Sequence, residues 1–563
     1  MSSVLGDKGL PVGGQGSRAP GLLDKERIIA GPGFNRWMVP PAALAIHLCI
    51  GMAYGFSVFW LPLSKQLSMA GGGATTCGND VGFIGEWFAS NCDWHISTLG
   101  WMFTLFFLIL GIAAAVWGGW LERAGPRKAG VVAAVCWCGG MLISAFGIQH
   151  HQFWLMLLGS GVIGGVGLGL GYISPGSTLI KWFPDRRGMA TGMAIMGFGG
   201  GAMIGSPLAV DLMKAFSTPT SNGVATTFVV MALIYFVFMV GGAFGYRVPA
   251  SGWKPEGWTP PATGSTNAMI TQRHVHVKRV WGIPQFWLIW MALTMNVSAG
   301  IGVIGMASPM LQEVFGGSLI GVPLRFGELD KTQLAAIATV AGGFTALLSL
   351  FNIRGRFFWA SMSDFFGRKT TYTLFFVLGG ILYASLPGFA GAGNKLLFVA
   401  AVCIILSMYG GSFSTVPAYL ADIFGTQFVG AIHGRLLTAW STAGIVGPVV
   451  VNYMREYQLG LGLPRSQVYN QTMYILVGML AIGLICNLLV RPLPDKYFMT
   501  EAELAEEKRL AHEKAVAAEA GMAGARTQER TPIVKVWLAW LVVGIPLAWG
   551  VYRTLIAAAK FFS

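Results

Sequence analysis

Long apolar runs with almost no charged residues dominate this 563-residue chain. A helix needs about 20 such residues to cross the hydrocarbon core of a bilayer. The stretch 129–180 is too long for one helix, so we expect a hairpin that turns at His150-His151-Gln152. A short run near 534–552, with Lys535 and Arg553 placed to reach the interfaces, predicts an extra helix. The other runs predict twelve membrane-spanning helices, near 37–64, 94–121, 129–180 (two helices), 188–213, 226–246, 284–311, 334–360, 371–391, 396–420, 430–452 and 470–490.

Hydrophobic residues make up 54% of the chain and charged residues 11%, whereas an average soluble domain has about 25% charged residues. This composition excludes a soluble enzyme, a disordered tail and a secreted disulfide scaffold. The net charge of +14 would suggest a nucleic-acid partner in a soluble chain, but membrane proteins concentrate Lys and Arg in cytoplasmic loops. We therefore expect an all-α polytopic membrane protein, in contact with the lipid bilayer and without a nucleic-acid partner.

The distribution of Lys and Arg predicts the orientation in the membrane. With a cytoplasmic N-terminus, 26 of the 38 basic residues fall on the cytoplasmic side and 7 fall in the opposite loops between the first and twelfth helices. The positive-inside rule then predicts a multi-pass protein of the cell (inner) membrane with its N-terminus inside. Residues 1–36 lack an early apolar core and are predicted to be a cytoplasmic tail, not a signal peptide.

An internal repeat relates the two halves of the chain. At a fixed offset of 242 positions, Glu122 falls on Asp364, Pro175 on Pro417, and Gly188, Gly192 and Gly205 on Gly430, Gly434 and Gly447. Two parallel six-helix repeats predict a pseudo-two-fold axis along the membrane normal and a substrate site near the midplane between the halves. We predict a six-helix bundle at 37–246, a cytoplasmic linker at 247–283, a second bundle at 284–490, a charged cytoplasmic segment at 491–533 and the extra helix with its tail at 534–563.

Two loops at repeat-related positions combine an acid, a glycine and basic residues: GGWLERAGPRK and ASMSDFFGRK. They resemble the loop motif that the major facilitator superfamily carries between helices two and three and between helices eight and nine. The resemblance implies the major facilitator fold, and charge contacts at these helix ends would hold one gate state and break in the other. The first copy departs from the pattern at Pro126, where a basic residue is common. The implied gating residues are Glu122, Arg123, Arg127, Asp364, Arg368 and Lys369.

Five longer strings extend the resemblance over about 37–495: GMAYGFSVFWLPL, GYISPGSTLIKWFPDRRGMATGMAIMGFGGGA, SLFNIRGRFFW, YGGSFSTVPAYLADIFG and GAIHGRLLTAWSTAGIVGP. Together they resemble the oxalate/formate antiporter family, which exchanges small organic anions and is related to monocarboxylate transporters. The resemblance implies a secondary transporter of the formate, oxalate, pyruvate and lactate class that works by alternating access. We expect the chain to act as a monomer.

Arg356 is the leading candidate for binding the substrate. Charges inside membrane helices are costly and usually functional, and in the family pattern the arginine at the position of Arg356 contacts the substrate carboxylate. Asn352 lies one turn away on the same face, where related transporters often carry Asp, so Arg356 is expected to lack a neighbouring counter-ion. The alternative is a snorkelling or helix-capping arginine. Arg354 lies about 200° around the helix from Arg356 and is expected to be structural.

Helix eleven departs from the family pattern at Trp440. Oxalate exchangers of the family place a lysine in the segment Thr-Ala-Lys, whereas this chain has Thr438-Ala439-Trp440. Arg435 does not replace that lysine, because five residues rotate it by about 140° from Trp440. A dianion with one unpaired carboxylate would be costly to bury, so we expect a small monocarboxylate and retain oxalate as an alternative. His433 is a candidate for the inner vestibule, or else a histidine hydrogen-bonded at a helix start.

Aromatic walls are the other site feature that the resemblance implies. Such rings exclude water, and tyrosine hydroxyls can donate hydrogen bonds to a carboxylate. Aromatic residues in membrane helices are also common at packing and interface positions. The positions that match the family's substrate box are Tyr54, Tyr172, Tyr409 and Phe413.

The coupling mechanism is left open by the sequence. The centres of the runs contain no Asp or Glu, which suits exchange of one anion for another. His47, in the middle of the first run, is a proton-carrier candidate, so proton-coupled symport is the second hypothesis; a packing histidine is the plain alternative. A third hypothesis is a transporter-like sensor with an output helix in the charged segment 501–520.

Cys77 and Cys92 fall in the outward loop between the first two helices, where an oxidising compartment permits a disulfide. Their spacing leaves open whether they pair. The other five cysteines lie in apolar runs and are read as small buried hydrophobes. No nucleophile–base pair, metal cluster or phosphate loop is recognisable, so we expect neither an enzyme nor a cofactor.

Overall fold

The computed structural model describes residues 21–559, apart from 32, 70–74, 79–80, 184–186, 251–252, 258–268, 272, 426, 508 and 510–529. In this part of the chain thirteen helices are long and apolar enough to span a membrane. We number only these long helices: α1 Arg36–Leu63, α2 Ile96–Ala124, α3 Pro126–Gln149, α4 153–182, α5 Arg187–Phe216, α6 Val224–Gly245, α7 Pro284–Gly305, α8 Lys331–Phe366, α9 Arg368–Gly391, α10 Lys395–Phe424, α11 Val429–Gly460, α12 Asn470–Leu489 and α13 Ile533–Ala559.

The twelve predicted helices and the thirteenth are confirmed. The long run 129–180 is divided as expected, because α3 ends at Gln149 and α4 begins at Phe153. His151 lies in the turn between them with a positive φ of 51°. The apolar run 334–360 predicted a shorter helix than α8, which has 36 residues and continues through Arg354, Arg356 and Asp364. A helix is maintained by its backbone hydrogen bonds, so charged side chains inside it do not end it.

Two helices of the first half are irregular. The backbone of α1 is a 3₁₀-helix over Gly51–Phe59, and that of α4 is π-helical over Leu157–Ile163. Such departures change the direction of the side chains that follow and are frequent at functional sites. Tyr54 lies inside the irregular part of α1, and Tyr172 lies nine residues after that of α4.

In each half, one pair of helices packs closely through glycine, and the two pairs are related by the repeat. A Cβ added at Gly201 of α5 would lie 2.5 Å from the Cα of Gly51 in α1. In the second half, a Cβ at Gly447 of α11 would lie 2.3 Å from the carbonyl oxygen of Ser298 in α7. Small residues allow helix backbones to approach closely in a membrane. The α1–α5 and α7–α11 contacts therefore follow the internal repeat.

The two ends of the helical bundle are named here by their landmarks. The motif face carries the loops 122–128 and 363–369. The disulfide face carries the loop between α1 and α2, in which Cys77 and Cys92 are joined by a disulfide. This loop is anchored where the Asp93 carboxylate accepts hydrogen bonds from the backbone N–H groups of Leu67 and Ser68, at 2.8 and 3.1 Å.

The halves are held together near the disulfide face by hydrogen bonds from α1 to α7 and from α2 to α11. The Trp60 indole of α1 donates to the carbonyl of Gly305 in α7 at 2.8 Å. The Trp101 indole of α2 donates to the hydroxyl of Tyr453 in α11 at 2.9 Å. These contacts close the disulfide-face side of the interface between the halves.

On the motif face, the segment between the halves contacts the segment that follows α12. Arg273 pairs with Asp495 at 2.6 Å, and Arg279 pairs with Glu503 at 2.5 Å. The Met499 N–H also donates to the carbonyl of His274 at 2.8 Å. Much of the charged segment 501–520 lies outside the described residues, so the output-helix hypothesis is not addressed by the structure.

Candidate functional site

Arg356 lies on the face of α8 that is turned towards the other half. Its side chain is 1% exposed, and its Nε donates to Oδ1 of Asn352, one turn earlier, at 3.0 Å. A Cβ added at Gly199 of α5 would lie 2.8 Å from both of these polar atoms. Because Gly199 has no side chain, α5 can approach Arg356 this closely.

The Arg356 guanidinium is not neutralised within the described part of the chain. No carboxylate pairs with it there, and its Nη1 atom has no hydrogen-bond partner among the described residues. The same holds for Nδ2 of Asn352. Burying an unpaired charge is costly. The site therefore presents buried N–H donors that suit an anionic acceptor.

Three tyrosines surround this charge, and all are nearly inaccessible. The hydroxyl of Tyr54 on α1 and that of Tyr409 on α10 lie 2.8 Å apart, across the interface between the halves. Both hydroxyls, and that of Tyr172 on α4, interact electrostatically with Arg356. The Tyr172 hydroxyl faces the Arg356 guanidinium and is not held by another described residue, so it adds a further polar group to the site.

Trp440 of α11 completes an aromatic box around Arg356 with Tyr54, Tyr172, Tyr409 and Phe413. Its ring centroid lies 4.6 Å from that of Phe413 and 4.9 Å from that of Tyr172. Phe413 in turn lies under Arg356, with 5.6 Å between Cζ and the ring centroid. The indole N–H of Trp440 is buried without a partner among the described residues. The structure thus brings together Arg356, Asn352, Tyr54, Tyr172, Tyr409, Phe413 and Trp440.

Two further aromatic residues of the box were missed by the sequence analysis. Phe198 of α5 packs edge-on against Tyr54 at 5.0 Å and against Trp440 at 5.5 Å. Phe107 of α2 lies 5.8 Å from Tyr54. Phe107 stands in the run WMFTLFFLIL, where nothing distinguishes it from lipid-facing rings. Phe198 had a usable signal, because it is the one large side chain in the stretch GFGGG.

His47 lies behind the box wall and is fully buried. Its Nε2 is 3.1 Å from the backbone oxygen of Tyr172, and its ring stacks on the Tyr172 ring with 5.6 Å between centroids. His47 therefore contacts Tyr172 of the aromatic box from behind. This placement is compatible with a packing histidine and with a histidine whose protonation changes the electric field at Tyr172.

The remaining basic residues of α8 and α11 lie away from the box. Arg354 is exposed on the outer side of α8. Arg435 donates to the carbonyl of Val277 and lies 5.6 Å from the Trp281 ring, so it anchors the segment that precedes α7. His433 lies in the first part of α11, before the interruption at Leu437, and seven residues before Trp440.

The second loop motif forms a charge cluster on the motif face. Arg368 pairs with Asp364 and also lies 3.7 Å from the carboxylate of Asp422 at the end of α10. The Lys369 ammonium donates to the carbonyl of Leu488 in the last turn of α12 at 2.7 Å and to that of Val490, just after the helix, at 2.8 Å. The motif therefore ties α8, α9, α10 and α12 together.

In the first loop motif, Arg127 makes equivalent contacts. It donates to the carbonyl of Phe244 at the end of α6, at 3.1 Å, and to that of Leu22 at 3.0 Å. The side chains of Glu122 and Arg123 lie outside the described residues. The shared feature of the two copies is a basic residue that donates to the end of the sixth helix of its half.

A buried ion-pair network near the disulfide face was also missed. Glu313, in the short helix Ala307–Phe315, accepts from Arg455 of α11 at 2.8 Å, from Arg465 at 2.6 Å and from the Tyr469 hydroxyl at 2.7 Å. Burial alone would raise the pKa of Glu313, but the two arginines and the hydroxyl lower it overall. Glu313 lies just beyond an apolar run, where a carboxylate is expected to be solvated.

Among the described residues, no group of three or more His, Cys, Asp or Glu side chains could hold a metal ion. The N–H donors around Arg356 suit an anionic ligand, and each half contributes part of the aromatic wall around them.

Known proteins with similar sequences include an oxalate:formate antiporter and a pyruvate carrier. The chain is 28% identical over 285 residues to an oxalate:formate antiporter of Oxalobacter formigenes, a match that covers 51% of this chain and 59% of the relative. It is 26% identical over 343 residues to apicoplast pyruvate carrier 1 of Toxoplasma gondii, covering 53% of this chain and 59% of the carrier. The chain thus matches about three fifths of the length of each relative.

Solved structures of the same fold include a D-xylose-proton symporter, with a TM-score of 0.55, 14% identity and coverage of 82% of this chain and 98% of the symporter. A bacterial homologue of the lysosomal transporter Spinster, in an inward-facing unoccupied state, gives a TM-score of 0.53 at 16% identity, covering 81% of this chain and 96% of the homologue. The family model of the Major Facilitator Superfamily matches residues 43–448 and, in an overlapping second match, 326–562. The chain belongs to the Major Facilitator Superfamily.

Proposed function

We propose that this protein is a secondary transporter that carries small monocarboxylates by alternating access and exchanges one anion for another. The observation that carries the proposal is the buried Arg356 guanidinium, which has no carboxylate partner in the described structure and lies in an aromatic box between the two halves. The similarity to an oxalate:formate antiporter and a pyruvate carrier supports the same substrate class.

In this proposal the substrate carboxylate takes the place of the missing counter-ion. A guanidinium offers parallel N–H donors that match the two carboxylate oxygens. Nε of Arg356 is held by Asn352, which leaves the Nη1 side of the guanidinium for the ligand. The Tyr172 hydroxyl and the Trp440 indole N–H are further donors for a substrate oxygen.

The single buried charge favours a monoanion. Trp440 stands where the resemblance to oxalate exchangers leads us to expect a second cation. The second carboxylate of a dianion would then meet aromatic rings and lose its hydration without compensation, at a cost of several kcal/mol. Formate, pyruvate and lactate avoid this cost, and oxalate remains the alternative substrate.

Alternating access requires the contacts between the halves to form and break in turn. The hydrogen bonds of Trp60 and Trp101 close the disulfide-face side, so the site would open from this state towards the motif face. The loop clusters around Arg127 and Arg368 are the corresponding gate elements. We assign the motif face to the cytoplasm of the cell membrane, because the basic residues concentrate there.

Proton-coupled symport is the second candidate, favoured by one observation. His47 is the buried imidazole that stacks on Tyr172, so its protonation would change the field at a substrate-box residue. In this scheme the proton and the anion would enter together.

The test is transport by the purified protein in liposomes. Vesicles are loaded with formate, oxalate, pyruvate or lactate, and uptake of the labelled anion is followed with and without an imposed pH gradient. Exchange predicts uptake that needs internal anion and ignores the gradient. Uptake into empty vesicles that follows the gradient would support symport instead, with His47→Gln as the variant that uncouples it.

Two matched variants link the result to the site. Arg356→Ala removes the proposed carboxylate partner and should abolish uptake, whereas Arg354→Ala removes an exposed arginine two residues away and should leave uptake near wild type. If none of the four anions is taken up and Arg356→Ala equals wild type, the small-carboxylate proposal is wrong.

A further inference from the structure

The helix α13 covers a seam that involves both halves of the transporter. It packs beside α1 and α5 of the first half and beside α8 of the second, the helix that carries Arg356. Its sequence has the pattern of a packed helix. Val536, Val543 and Gly550 are buried at intervals of seven, and Trp540, Leu547 and Thr554 fall four residues after each. This is the spacing of a continuous helix-packing seam.

Polar contacts fasten α13 to the first half at both ends. Near the motif face, the Trp540 indole donates to the carbonyl of Trp37 in α1 at 3.1 Å. Close to the disulfide face, Arg553 forms an ion pair with Asp211 of α5 at 2.7 Å. In the described part of the chain, the Trp540 hydrogen bond and the Arg553–Asp211 ion pair thus connect α13 to the first half.

Between the two ends, the contacts of α13 with the first half are apolar and close. Val543 is 2% exposed and packs with Leu44, Ala45 and Leu48 of α1. A Cβ added at Gly550 would lie 2.9 Å from Ile204 of α5. The helix is therefore in contact with the first half from Trp540 to Arg553.

The contact between α13 and α8 consists of small and apolar residues. A Cβ added at Gly343 of α8 would lie 2.2 Å from the Cβ of Ala557, so the two helices meet through the smallest side chains. Thr339 and Ile556 line a small cavity of about 70 Å³ beside this point. Small residues and apolar contacts allow one helix to shift against another without breaking hydrogen bonds.

We propose that α13 is a fixed part of the first half and provides the surface against which α8 moves when the substrate site changes sides. Gly343 is about 20 Å along α8 from Arg356, thirteen residues away. The Gly343–Ala557 contact then sets how closely the halves approach at the disulfide face. The proposal rests on transport by alternating access, as proposed above.

The test exchanges one methyl group between the two contact residues. Gly343→Ala adds a methyl where there is no room and should wedge α8 away from α13. Adding Ala557→Gly removes the opposing methyl and should restore the contact. Gly380→Ala is the matched control, since a Cβ at this position of α9 would meet nothing within 4 Å.

Two readouts are recorded for each variant. Spin labels at Thr220→Cys in the first half and Thr332→Cys in the second, in a background without the five free cysteines, report the separation of the halves at the disulfide face. Exchange in liposomes reports function. We expect Gly343→Ala to shift the distance distribution to longer values and to slow exchange about fivefold or more. The double variant and Gly380→Ala should match the parent.

The distance readout keeps the two proposals apart, because it needs no substrate. If wild type exchanges no carboxylate but the distances behave as expected, the substrate proposal fails and the role of α13 stands. Distances unchanged in Gly343→Ala, or not restored by Ala557→Gly, would overturn the role of α13.

A second set of variants covers the case in which Gly343→Ala does not fold. Arg553→Gln and Asp211→Asn each release the disulfide-face end of α13, and both should broaden the distance distribution. The exchanged pair Asp211→Arg with Arg553→Asp should narrow it again. A distribution that is identical in all these variants would contradict the proposal.

Discussion

The hydroxyls of Tyr54 and Tyr409 form a hydrogen bond of 2.8 Å that joins the two halves of the protein across the aromatic box around Arg356. Tyr54 belongs to α1 and Tyr409 to α10, so the bond must break whenever these helices separate. A buried hydrogen bond of this kind contributes about 1 kcal/mol. In the proposed alternating-access cycle, a bond of this strength would favour the state in which the two helices are in contact and could still be broken in each cycle.

Removing either hydroxyl should have the same effect. We expect Tyr54→Phe and Tyr409→Phe each to weaken the closed state by about 1 kcal/mol and to raise the substrate KM. Because one bond is lost in every case, the double variant should be no worse than either single one, with a coupling energy near that of the bond. Exchange kinetics in liposomes measure this. Strictly additive effects would show that the hydroxyls act separately.

Trp440 should determine the charge of the preferred anion. Trp440→Lys places a second cation in the box, and we expect the ratio of oxalate to formate exchange to rise about tenfold, which corresponds to about 1.4 kcal/mol. Trp440→Met is the control, since it opens the same space without a charge. An equal ratio in the two variants would show that charge at this position does not select the substrate.

The Glu313 network should matter for stability more than for substrate choice. Glu313→Gln leaves the buried Arg455 with the partly exposed Glu456 as its remaining carboxylate partner and should cost about 3–5 kcal/mol, seen as a lower Tm of the purified protein. Glu456→Gln is the control, because Glu456 also pairs with Arg455 but its side chain is 26% exposed; it should cost about 1 kcal/mol or less.

The lowered pKa of Glu313 also determines how its contribution to stability depends on pH. A carboxyl group that is more acidic when folded stabilises the protein above its unfolded pKa of about 4.3. This contribution is lost as the pH falls through the folded value. We therefore expect the Tm difference between wild type and Glu313→Gln to shrink at acidic pH, and a constant difference would contradict the assignment.

The disulfide-bonded loop should be most stable in a limited pH range. The hydrogen bond to Glu86 raises the pKa of His95. Burial raises the pKa of Glu86, but hydrogen bonds from His95 and Thr98 lower it overall. The His95 contribution is present below about pH 6.5 and is lost as the pH rises through its raised pKa. The Glu86 contribution is lost as the pH falls through its lowered pKa.

Hydrogen exchange over residues 82–98 can test this pH dependence. Because His95 is partly exposed, we expect an effect of about 1 kcal/mol or less. Protection should decline above neutral pH in wild type and become independent of pH in that range in His95→Gln. Equal pH profiles in both proteins would show that the pair does not hold the loop.

The number of helices and the repeat were predictable, because lipid demands long apolar segments and a repeat leaves matching glycines and acids. Arg356 was predictable because charges are rare in the centre of an apolar run and because the helix period places it on another face than Arg354. Phe107 was not, because its role depends on which side of α2 meets Tyr54. Glu313 and Arg455 escaped notice because their burial arises from packing beyond the ends of the apolar runs.

The most apolar window of α1 is entirely buried, and α13 covers one of its faces. The helix that carries His47 and Tyr54 thus has no annular lipid along that window, despite its transmembrane length. Substitutions there should follow the rules of a soluble protein's interior, where volume and hydrogen bonding set the cost. The partition of a side chain into hydrocarbon, which governs tolerance on the outer faces of α9 and α12, would have little influence on α1.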